Sequence, residues 1–179
     1  MSDSIGPASA TVTPPPTQLP TDCTNRCARD VRRRAGHLVA EELHDLVTSL
    51  TGGHDGGHIH PVLAELVQET ARSVDHFVRQ GRVPRRADLY SFRALAALAA
   101  AAGYHEAELV AVAEATADAV HDLWLTHARN LGELHGPPAV EQTAELVSEV
   151  TRLFLRKLPG QLAIGLALAI VTHQRTVAA

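Results

Sequence analysis

Apolar residues recur every three or four positions through most of this sequence, and that spacing decides what the chain can become. Val31, Ala35, Leu38, Val39, Leu43, Leu46 and Leu50 form one stripe; Leu63, Leu66, Val67, Thr70, Val74, Phe77 and Val78 form the next. Leu89, Phe92, Leu95 and Leu98 follow, with alanines on nearly every side, and then Leu109, Val112, Thr116, Val120, Leu123, Trp124 and Leu131. A period near 3.6 gathers each set on one face of a helix. With one Trp, two Tyr and three Phe, the aromatic residues are too few to fill the core, so Ala, Leu and Val must supply most of it. Alanine and leucine are strong helix formers, so spacing and composition agree on an all-α chain.

The breaks between stripes are equally readable. Helices are expected over residues 24–51, 61–80, 87–102, 106–131 and 140–158. "TGG" closes the first, Pro61 suits the opening turn of the second, and Gly81 and Gly103 suit left-handed stops. Pro159-Gly160 is expected to end the fifth helix before a last apolar segment, "QLAIGLALAIVTHQ", read as a separate helix. That segment alternates Leu or Ile with Ala or Gly, a period near two, but a single strand would have no partner in a helical protein. Residues 1–21, with "PASATVTPPPTQLPT", carry almost no large apolar side chains and read as a disordered tail. The expected architecture is a single helical domain over 22–179, with globin-like or bundle-like packing of about six helices.

The net charge of −4 gives no general reason to expect nucleic acid or an anionic membrane as partner. Arg26, Arg29, Arg32, Arg33 and Arg34 form one basic cluster, either a solvated helical face or a docking patch for an acidic partner. Cys23 and Cys27 lie four apart, which is not the C-x-x-C of redox or zinc sites. The N-terminus has neither the positive region nor the apolar core of a secretory signal. Leu162 to Val171, the longest apolar run, is too short by itself to span a bilayer. These features read as a soluble, cytoplasmic protein with no membrane and no nucleic-acid partner.

Eleven histidines raise the question of metal or haem. His37, Glu41 and His44 fall on one helical face, and Glu41-x-x-His44 has the spacing used by di-iron carboxylate bundles. Asp118-x-x-His121, with Glu114 one turn earlier, is a partial second half. The run "GGHDGGHIHP" offers His54, His58 and His60 beside Asp55, on glycines that would leave such ligands mobile. His127 continues an apolar stripe and is the best-placed haem ligand; with Phe77, Phe92 and Trp124 it is a candidate for a ligand pocket or for the core. There is no phosphate-binding glycine loop, no G-x-S-x-G and no H-E-x-x-H. The expectation is a non-enzymatic protein with no cofactor; the alternative is a metal- or haem-binding helical protein.

From His60 to Trp124 the sequence resembles the RsbRD-type N-terminal domain of stressosome co-antagonists and of PucR/CdaR-type regulators. The resemblance is carried by Phe77 ahead of Gly81-Arg82 and Pro84, by Ala102-Gly103 closing the next helix, and by Leu109 and Trp124 in the one after. The all-alanine "LAALAAAAG" departs from the family's arginine-alanine pair, though Arg93-Ala94 stands upstream. The resemblance implies a globin-like fold without haem, acting as a dimeric sensory or docking domain in signal transduction or transcription regulation, with a regulatory protein or small molecule as its partner. Such domains usually precede an effector domain, so the chain reads as either free-standing or an isolated sensory domain. Leu162, Ile164, Leu166, Leu168 and Ile170 exceed what one helix face needs, and they are expected either to complete the core or to form a homodimer interface.

Overall fold

The computed structural model describes residues 21–52 and 59–177. Among the described residues the chain is all-α and contains no strand. It runs α1 (Thr21–Thr51), α2 (Pro61–Gln80), a 3-10 turn (Arg86–Leu89), α3 (Ser91–Ala101), α4 (Glu106–Asn130), the single turn α5 (Gly132–His135) and α6 (Pro137–Val177). Except for Thr21, the stretch expected to be a disordered tail lies outside the described residues, as do His54, Asp55 and His58.

Local chemistry accounts for the helix ends. Pro61 opens α2, and the Nδ1 of His60 accepts from the Val62 N–H at 3.3 Å. At its other end Gly81 takes φ 65°, and the N–H groups of Gly81 and Arg82 return to the carbonyls of Val78 and Phe77. The carboxylate of Glu108 accepts from the His105 N–H at 2.9 Å and fixes the first turn of α4. The expected third helix divides in two: Asp88 accepts from the Arg85 N–H at 2.7 Å and from Arg82 at 2.9 Å, winding the first turn as 3-10 before α3 begins.

A main core holds the helices together, with Trp124, Phe92, Phe154, Leu66, Leu89, Leu109, Leu158 and Leu162 as its largest fully buried members, and a smaller cluster of Ala28, Val31, Ala128 and Ala139 joins α1, α4 and α6. Phe92 of α3 and Phe154 of α6 meet edge to face, with ring centroids 5.6 Å apart. The buried hydroxyls of Thr116, Thr143 and Thr151 donate to carbonyls one turn back, which satisfies them inside the apolar interior. Helix α6 packs on α1, α2, α3 and α4, and its broadest contact is with α3. That contact is close because α6 carries a glycine there. A Cβ on Gly165 would run into the Arg93 carbonyl oxygen and the Ala96 Cβ.

The expected break at Pro159-Gly160 does not occur, and α6 is a single helix of 41 residues. Proline removes one backbone donor and costs about 3 kcal/mol in a helix interior. Here Leu158, Gln161 and Leu162 are all buried across the break, so packing on both sides outweighs the local preference. Gly160 sits on the outer side, where a Cβ would meet nothing within 4 Å. Joining the two segments also changes the membrane reading: Pro137–Thr172 is long and apolar enough to cross a bilayer by length and composition, and 28% of its most apolar window is buried in the bundle.

Candidate functional site

The helices separate the proposed metal ligands instead of gathering them. His37, Glu41 and His44 are exposed on the outer face of α1, and Glu114 and Asp118 are exposed on α4. His121 lies 3.1 Å from Asp122 and 3.3 Å from the Ser148 hydroxyl, so its ring ties α4 to α6. His60 uses its Nδ1 to cap α2, and its ring meets Tyr104 edge to face. Among the described residues no three His, Cys, Asp or Glu side chains come together as a metal site. The i, i+4, i+7 spacing had placed His37, Glu41 and His44 on one face correctly, but that face looks into water.

The aromatic candidates belong to the core. Phe77, Phe92 and Trp124 are buried; of these, Phe77 borders a surface recess of about 550 Å³, which it shares with Arg72, Asp75, Arg79, Arg82 and Asp88. His127 is nearly buried; its Nε2 lies 3.2 Å from the Glu42 carboxylate of α1, out of line for a hydrogen bond. Trp124 has a partner that its sequence position did not reveal. Its indole N–H donates to Asp75 of α2 at 3.2 Å, while Arg79 holds the other oxygen of the same carboxylate at 2.6 Å and lies 5.9 Å from the indole ring. Gly36 of α1 makes room for this junction, since a Cβ there would lie 3.1 Å from the Arg79 guanidinium and 3.2 Å from the indole. The cluster links α1, α2 and α4, and its charges are already matched within the fold.

The C-terminal half of α6 divides by face. Leu162 is fully buried and Leu166 is half-buried against the core, so of the two roles the sequence left open these residues take the core-completing one. Between them, Gly165 meets α3 at Arg93 and Ala96. Ile164 (40% exposed), Leu168 (55%), Ile170 (58%) and Val171 (47%) point outward. Val171 was not among the candidates, nor was Leu98 of α3, which is exposed as well. Ala100 and Ala101 of α3 line a shallow recess of about 490 Å³ with Ala169, Ile170 and Gln174, where α3 ends and α6 runs on. The outward strip therefore lies on the side of α6 turned away from the bundle: Ile164 is exposed although its neighbour Gly165 packs against α3.

No family model, no curated protein and no solved structure matches this chain.

Proposed function

We propose that this chain is a regulatory helical module that acts by association and not by chemistry on a substrate, and that it forms a homodimer through the C-terminal half of α6. The observation that carries this reading is the row Ile164, Leu168 and Val171, exposed at i, i+4 and i+7; Ile170 is exposed on another side of the helix, next to the end of α3. Such a row is the seam one helix offers another, and a two-fold axis would let a single strip cover itself. The proposal agrees with the resemblance to RsbRD-type domains, whose globin-like sensory modules act as dimers in signal transduction and transcription regulation. Cys23 and Cys27 are free thiols, which suits a reducing cytoplasmic setting.

Leu168→Asp tests the reading. Leu168 is 55% exposed, so the substitution places a charge in the seam while leaving the core untouched. Sedimentation equilibrium of the wild type should give a dimer, and of the variant a monomer with the same helical content. A wild-type monomer at high concentration, or a variant that still dimerises, would overturn the proposal.

A further inference from the structure

A second feature lies on the same helix, one turn before the apolar strip. Arg86 and Tyr90 from the 3-10 turn and its end, Arg93 from α3, and Arg156, Lys157, Gly160, Gln161 and Ile164 from α6 line a recess of about 560 Å³. Four cations therefore converge, and no carboxylate is among the lining residues. Elsewhere Arg33, Arg72, Arg79, Arg82 and Arg152 each hold an Asp or Glu within ion-pair distance, and the recess beside the arginine cluster of α1 is lined by Asp22 as well as by Arg26, Arg29 and Arg32. In a chain of net charge −4, a recess with four cations and no internal counter-charge is a local reversal of sign.

Two of the cations are held in place. The Nε of Arg93 donates to the buried Gln161 at 2.8 Å, and its guanidinium lies 4.1 Å from the centre of the Tyr90 ring. Those contacts leave its terminal N–H groups for an acceptor in the recess. The Lys157 ammonium donates to the Pro84 carbonyl, which fixes the position of its charge. Arg86 and Arg156 are exposed and have no carboxylate partner among the described residues.

We propose that this recess binds a phosphate-bearing ligand. Planar guanidinium forks match phosphate oxygens in pairs, and a dianion or pyrophosphate balances four cations better than a single carboxylate would. The volume is in the range of small-molecule sites and exceeds a bare phosphate, leaving room for an organic group against Tyr90 and Ile164. Ile164 is also the first residue of the apolar strip, so the phosphate can come from a soluble ester or from a lipid headgroup whose chain follows α6. The site does not depend on the dimer, because its lining comes from one chain.

Calorimetric titration of the full chain with inorganic pyrophosphate tests the proposal, beside co-sedimentation with phosphatidylcholine vesicles with and without phosphatidic acid. Arg86→Glu/Arg156→Glu alters only exposed groups and should keep the wild-type melting temperature. Arg93→Gln with Lys157→Gln removes the two anchored cations. Either double variant should weaken binding at least about tenfold, as expected for losing charge-assisted hydrogen bonds. Tight pyrophosphate binding assigns a soluble ester, and binding only to phosphatidic acid vesicles assigns a lipid headgroup; both support the site. Failure of the wild type to bind either probe, or equal binding by wild type and variants, would overturn it, as would capture of poly-glutamate without either phosphate probe.

Discussion

The two halves of α6 both carry an apolar stripe and meet different fates. Over residues 137–158, Ala139, Thr143, Val147, Val150, Thr151, Phe154 and Leu158 make an inward stripe that is buried along its length. Beyond Pro159 the stripe continues through Leu162 to Leu166 and then has nothing to cover, while Ile164, Leu168, Ile170 and Val171 face outward. The second half is the more apolar, yet it buries less. Composition does not decide this; the face of the helix on which each residue falls does. Apolar surface in the first half holds the fold, and in the second half it is left for something else to cover.

The comparison predicts unequal responses to truncation. Phe154→Ala removes a fully buried ring that meets Phe92 and should cost about 3–5 kcal/mol in urea unfolding. Leu168→Ala, on the outward strip, should change monomer stability by no more than about 0.5 kcal/mol. Similar losses from the two substitutions would erase the distinction between the halves.

A smaller effect belongs to the connector that positions α3 against α6. Hydrogen bonds from the Arg82 side chain and the Arg85 N–H hold the Asp88 carboxyl below its ordinary range. A depressed folded pKa contributes stability that is present above the unfolded value of about 3.9 and is lost as pH falls through the folded value. Wild type should therefore lose stability on acidification more steeply than Asp88→Asn, most visibly below about pH 4. Parallel unfolding curves for the two proteins across that window would show that the connector contributes nothing to the acid response.

How much of this was legible in the sequence follows from which interactions are local. The bounds of α2 were read correctly because Pro61 and Gly81 act within a residue or two of the helix ends. The surplus of Leu and Ile after residue 160 was also visible as more apolar surface than one face can bury. Pro159-Gly160 misled because its local preference is plain, whereas the buried Leu158, Gln161 and Leu162 that override it depend on α3 and on the rest of the bundle. The junction of Asp75, Arg79 and Trp124 joins residues up to 49 apart, and the basic recess joins Arg86 and Arg93 to Arg156 and Lys157. Two basic doublets, Arg85-Arg86 and Arg156-Lys157, were in view, but only the packing of α3 on α6 brings them to one place.

Amide hydrogen exchange along α6, measured at low and at high protein concentration, tests the central claim most directly. If the outward strip is a dimer seam, amides in residues 161–177 should exchange more slowly as concentration rises, while those in 137–158 keep the same protection. Protection in 161–177 that is independent of concentration would contradict association through this half of the helix.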